Sequence, residues 1–142
     1  MRIAEQLGTT LFLSRPKAFM AECLLELGDA ESAGRLAQEA IALAGESGER
    51  HGSALGHRAL AEAFVRRDPP DLEAAEAAVL EAIEIQEENG ERPELARSLV
   101  VHAQLLGAKG ERVRADEVTG RALAMFRDMD MQWDLERAGG IL

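Results

Sequence analysis

The sequence predicts an all-α fold, an array of three helical hairpins with partial units at both ends, and three observations carry that expectation. The first is a recurrence. Gly8, Gly48, Gly90 and Asp130 each close an apolar helical run and precede another, at intervals of 40 (48−8), 42 (90−48) and 40 (130−90) residues. A fixed interval in this range marks stacked supersecondary units. The second is composition: 46% of the 142 residues are hydrophobic, yet only 4% are aromatic and there is no Tyr. The core must then come from Ala, Leu, Ile and Val, which suits closely approaching helices better than sheets. The third is the spacing of apolar residues at i, i+3, i+4 and i+7 between the breaks, the stripe of a helix buried along one side.

In chain order, residues 2–7 read as the end of a helix stopped by Gly8, which accepts the left-handed conformation found just past a helix C-terminus. A full helix is expected from about Thr10 to Leu27, with Leu13, Met20, Ala21, Leu24 and Leu27 on one face and Thr9 or Thr10 as cap. Pro16 must lie in its first turns or kink it. After the Gly28–Asp29 break, Asp29 caps a helix to about Glu46, with Ala33, Leu36, Ala37, Ala40, Ile41 and Ala44 on its stripe.

The next helix spans about Glu49 to Arg67 with Leu60, Ala61 and Phe64, and stops at Asp68-Pro69-Pro70. Asp71 caps a helix to about Asn89 carrying Ala75, Ala78, Val79, Ala82 and Ile83. A third pair runs from about Pro93 to Lys109 and from Arg112 to Asp128, divided by Gly110. Met131 to Ala138 has room for one short helix, ended by Gly139-Gly140. The units are thus 1–8 (partial helix), 9–48, 49–90 and 91–130 (hairpins) and 131–142 (terminal capping helix), and the short turns make successive helices antiparallel neighbours.

Charge and motif content narrow the function. The formal charge of −10 repels phosphate backbones and anionic headgroups, which argues against nucleic acid and membrane partners. No apolar run approaches the roughly 20 residues of a membrane span, and the first residues lack the apolar core of a secretion signal, so a cytoplasmic location is expected. Cys23 is the single cysteine and reads as a small apolar helix residue. No phosphate-binding loop or nucleophile elbow is present, so no enzymatic activity and no cofactor is expected. His51, His57 and His102 lack zinc-site spacing, and Asp128, Asp130 and Asp134 lack the glycine and glutamate of a calcium loop.

Small residues recur in register: Ala21, Ala61 and Ala103 on the first helices, and Ala33, Ala75, Ala115 followed by Ala40, Ala82, Ala122 on the second. In this the chain resembles the tetratricopeptide repeat family, whose helix-turn-helix unit has small residues at its eighth, twentieth and twenty-seventh positions and often Gly at the fifteenth. Gly28 and Gly110 match the latter and Asp68 departs from it; Lys17, His57 and Leu99 replace the family's aromatic at the fourth position. The unit of near 40 residues and the GER phrase look like variant repeats in C-terminal regions of large bacterial ATP-dependent transcriptional regulators and cyclase-linked ATPases. The resemblance implies a right-handed superhelix, an α-solenoid. An unpaired short helix at the start fits a piece of a longer protein; the rival reading makes it an N-terminal cap.

The same resemblance implies that the first helices line a concave face. Arg15, Phe19, Glu22 and Glu26 would point into it from the first unit, Leu55, Arg58, Glu62 and Arg66 from the second, and Arg97, Val101 and Gln104 from the third. Two readings of the arginines stay open: they grip a partner's carboxylates, or they neutralise glutamates on adjacent helices. Met125, Phe126, Met129, Met131 and Trp133 cluster in nine residues, either sealing the last repeat or forming a surface for self-association. The expected function is non-catalytic binding of a peptide or partner helix on the concave face, with homo-oligomerisation or a small-effector sensor as alternatives.

Overall fold

A computed structural model describes the backbone of residues 3–141 and the side chains of residues 13–140. Seven helices occupy it: α1 (Ile3–Glu26), α2 (Ala30–Ser47), α3 (Arg50–Arg66), α4 (Leu72–Asn89), α5 (Arg92–Ala108), α6 (Arg112–Asp128) and α7 (Gln132–Ile141), with no strand among the described residues. The all-α expectation holds, and the local chemistry of the breaks explains it. Asp29 and Asp71 accept hydrogen bonds from the Ser32 and Ala74 amides, capping α2 and α4.

Left-handed residues recur at 20-residue spacing where the chain leaves a helix (48−28, 110−90, 130−110), and Asp130, at φ 54°, adopts the conformation that Gly48 and Gly90 adopt. Each is followed by an amide that bonds back across the last turn, Glu49 to Ala44, Glu91 to Gln86 and Met131 to Phe126. The recurring phrase is therefore one backbone turn, kept at Asp130 without its glycine.

Two expected breaks are absent. Helix α1 runs through Gly8, Thr9 and Thr10, so no separate fragment precedes it and neither threonine caps it. A glycine lowers helix stability by only about 1 kcal/mol relative to Ala and does not itself turn the chain. Pro16 consequently lies inside α1 instead of in its first turns, and removes one helical hydrogen bond there. For the same reason α7 passes through Gly139 and Gly140 to Ile141.

Consecutive helices pack on one another, and the odd-numbered helices α1, α3, α5 and α7 also touch in succession; α2, α4 and α6 make no such contacts with each other. The odd helices thus form one tight layer and the even helices a second, more open one. In the register of small residues, Ala21, Ala61 and Ala103 and, on the even helices, Ala33, Ala40, Ala75, Ala82 and Ala122 are buried, whereas Ala115 is half-buried.

Helix α3 is central because glycines thin two of its sides. A Cβ on Gly52 would stand 2.2 Å from Ser14 Oγ of α1, and one on Gly56 would stand 2.9 Å from Ile41 Cγ1 of α2. The stripe of α1 that meets these helices is Ser14, Ala18, Ala21 and Leu25. Met20 and Leu27, expected on the buried side, face outward, because the small residues allow the closer backbone approach.

Candidate functional site

The layer of odd helices bounds a groove of about 510 Å³. Spacing along each helix decides what enters it. Phe19, Glu22 and Glu26 come from α1; Leu55, Arg58, Glu62 and Arg66 from α3; Arg97, Val101 and Gln104 from α5. All were expected on one face, and the structure gathers them. Arg15 does not join them. It pairs with Glu49 at the start of α3, one turn too early along α1 to reach the groove.

Sequence reasoning missed the other lining residues: Cys23, Glu94, Val100, Phe126, and Trp133, Asp134, Arg137 and Ala138 of α6 and α7. Cys23 is exposed there. A step of 40 residues, the interval from Gly90 to Asp130, carries Glu94 and Arg97 onto Asp134 and Arg137, so repeat register continued into α7 finds them and the reading of α7 as a cap alone does not. Phe19 and Trp133 stand 66% and 64% exposed, the largest apolar surfaces in the groove.

A chain of charges crosses the groove from α1 to α7. Arg58 Nη2 donates to Glu22 at 2.8 Å and Nη1 to Glu94 at 2.8 Å. Glu94 also accepts from Arg97 at 2.6 Å, and Arg97 donates two bonds to Asp134, at 2.8 and 3.2 Å. On α7, one turn beyond Asp134, Arg137 reaches back to Glu26 of α1 at 2.8 Å and lies 5.2 Å from the centre of the Trp133 ring. The first and last described helices, whose backbones do not pack on one another, are joined by that exposed pair.

Ionisation follows the pairing. Burial works against the Arg58 charge, but Glu22 and Glu94 outweigh it and raise its pKa. Burial likewise opposes the Glu94 charge, and Arg58 and Arg97 outweigh it and hold the carboxyl below the usual carboxylate range. Hydrogen bonding to Asp134 pushes Arg97 further up. Glu62 goes the other way: burial pushes its pKa up, beyond what Arg66 and Arg58 restore. Of the two readings of the arginines, the second describes Arg58 and Arg97: they bind glutamate and aspartate on neighbouring helices and are not free clamps.

The cluster at residues 125–133 also resolves. Met125 and Phe126 are buried, and Met129 and Met131 pack half-buried against the same core under α7, leaving only Trp133 exposed. A sticky end built from these side chains is therefore not formed; α7 folds over them because their large apolar area has no other cover. His102 is buried against Glu76, His51 pairs with Glu91, and His57 bonds within α3 to the Ser53 carbonyl. Among the described residues no group of three or more His, Cys, Asp or Glu side chains is placed to hold a metal ion. No helix of the described residues is long and apolar enough to cross a membrane. Compared with known proteins, the chain matches no family model, and the search of curated proteins finds no similar sequence.

Proposed function

We propose that this chain is a tetratricopeptide-like α-solenoid, a right-handed superhelix of helical hairpins that binds a peptide or a partner helix on its odd-helix layer without catalysing a reaction. The observation that carries this reading is the groove itself: exposed Phe19 and Trp133 beside Leu55 and Val101, on a frame already locked by ion pairs. A rigid concave surface with aromatic anchors and satisfied charges loses little entropy when a ligand docks. Its volume falls in the range of sites that take a small molecule or a few residues of extended peptide. A place within a longer, cytoplasmic bacterial regulator belongs to the same reading and rests on the repeat resemblance.

The test avoids Arg58 and Arg97, since reversing either would strand buried carboxylates. A displayed random-peptide library is selected on the immobilised protein and on a Phe19→Arg variant, changed at an exposed groove residue, with helicity of the variant checked by circular dichroism. Peptides enriched on the parent and lost on the variant are expected. No enrichment, or enrichment that Phe19→Arg leaves unchanged, would refute the assigned face.

A second reading, self-association, is favoured by one observation at the opposite end from the Met-rich segment. Met20 of α1 and Leu27 just past its end project outward, Leu27 with 81% of its surface exposed. Sedimentation across a concentration series with Leu27→Arg decides it: a strict monomer for both proteins eliminates the reading.

A further inference from the structure

The charges of the groove do not balance, and the imbalance falls on Glu62. The lining holds one more carboxylate than guanidinium group. Glu22, Glu94 and Asp134 are each bonded to arginine at 2.8 Å or closer, and Glu26 meets Arg137 at 2.8 Å. Glu62 keeps a single contact, 3.4 Å from Arg66 on its own helix, well beyond the roughly 2.8 Å of a charge-assisted bond. Arg66 is committed elsewhere, donating to the Leu25 carbonyl at 2.9 Å. The Glu62 side chain is only one-fifth exposed, at 21%, so water only partly replaces the missing partner.

An acidic group held in a groove wall, weakly paired, beside two exposed aromatic rings, is one half of an ion pair. We propose that the groove takes a peptide segment in which a lysine or arginine stands between apolar side chains. The cationic head meets Glu62, and the apolar flanks lie on Phe19, Leu55 and Trp133. This rests on the reading of the groove as a peptide-binding face and adds the charge of the ligand to it. Three further features favour such a ligand. The partner's long aliphatic stem can lie along apolar walls while its head reaches the carboxylate. Aromatic faces attract cations. The chain's net charge of −10 draws basic partners toward it and repels acidic ones.

Trp133 is the only tryptophan of the chain, so its emission reports on the groove alone. The probes are the capped tripeptide leucine-lysine-leucine and its counterparts with glutamine or glutamate at the centre, titrated to millimolar concentration. The lysine peptide is expected to shift Trp133 emission saturably and to bind about tenfold tighter than the glutamine peptide, with no binding of the glutamate peptide. Glu62→Gln is expected to bring the lysine and glutamine peptides within about twofold of each other while leaving the glutamine peptide unaffected. Thermal unfolding of the variant verifies that it is folded. Equal affinity for all three peptides, or a lysine preference that survives Glu62→Gln, overturns the inference and leaves the groove a peptide-binding face. No saturable change with any peptide overturns both.

Discussion

Replacing Arg58 by methionine removes the side chain that bonds both α1 and α5 to α3 across the groove. The side chain is 7% exposed and its guanidinium donates to Glu22, to Glu94 and, at 3.3 Å, to the Glu94 carbonyl. Methionine fills most of the volume, so the loss is electrostatic and not a cavity. Deleting one partner of a buried pair costs about 3–5 kcal/mol. Two features lower that figure here: the Glu22 side chain is 35% exposed and regains water, and Glu94 keeps Arg97 at 2.6 Å. A loss of about 2–3 kcal/mol is expected, which for a chain of this length lowers the melting temperature by about 6–9 °C.

Far-ultraviolet circular dichroism during heating and in urea measures it. Adding Glu22→Gln and Glu94→Gln to Arg58→Met should return most of the loss, because neutral amides need no counter-ion. As a control, Arg35→Met breaks only exposed contacts, with Glu31 and the Ser32 hydroxyl, and should leave the melting temperature nearly unchanged. A loss below about 1 kcal/mol, or a triple variant no more stable than the single one, would refute the claim that this network is what fixes the odd-helix layer.

Three further outcomes are expected. Gly56→Ala should destabilise by about 1–3 kcal/mol against Ile41 Cγ1 and the Ala37 carbonyl, more than the helix propensity it adds. Gly120→Ala, inside α6 with open space around it, should instead stabilise by about 0.5–1 kcal/mol, and equal signs in thermal denaturation would contradict the packing. For Glu62 the folded pKa lies above the ordinary 4.5, so its contribution to stability is complete below that pH and lost as pH rises through the folded value. Glu62→Gln should therefore raise the melting temperature at pH 7, with the gain vanishing below about pH 4.5; a lower melting temperature at pH 7 would disprove it. Hydrogen bonding to Lys109 lowers Glu76, and the charges of Arg58 and Arg97 lower Glu94 against burial. Their contributions are present above the ordinary 4.5 and lost as pH falls through the folded values, while burial of His102 makes stability decline already as pH falls below 6.5. His102→Gln should remove only the earlier decline in a pH series of melting temperatures.

Much of the architecture was legible because its causes are local. An aspartate before a helical run offers its carboxylate to the amides of the next turn whatever else the chain does, so Asp29 and Asp71 marked the starts of α2 and α4. The stripe of α4, Ala75, Ala78, Val79, Ala82 and Ile83, follows from periodicity alone and is buried throughout. The same local logic overreached at Gly8 and at Gly139-Gly140. A glycine permits a turn, and whether the chain takes it depends on a neighbouring helix to turn against.

In the groove the division is similar. The faces of α1, α3 and α5 were readable from register, and Phe19, Arg58 and Val101 stand where that register puts them. The pairing of those side chains was not readable. Glu22 and Arg58 are separated by 36 residues and Glu26 and Arg137 by 111, and whether they meet depends on helix rotation and spacing at the scale of single ångströms. Periodicity and capping thus mark most of the helices and, for α4, the side it buries, because those preferences act within a few residues; in α1, where Met20 faces outward, packing overrode them. Tertiary packing alone decides that Arg58 and Arg97 are satisfied internally, that Trp133 joins the groove while its Met neighbours leave the surface, and that Glu62 is left without a full partner. Charge pairing and burial are properties of distances between helices, and no stretch of sequence contains those distances.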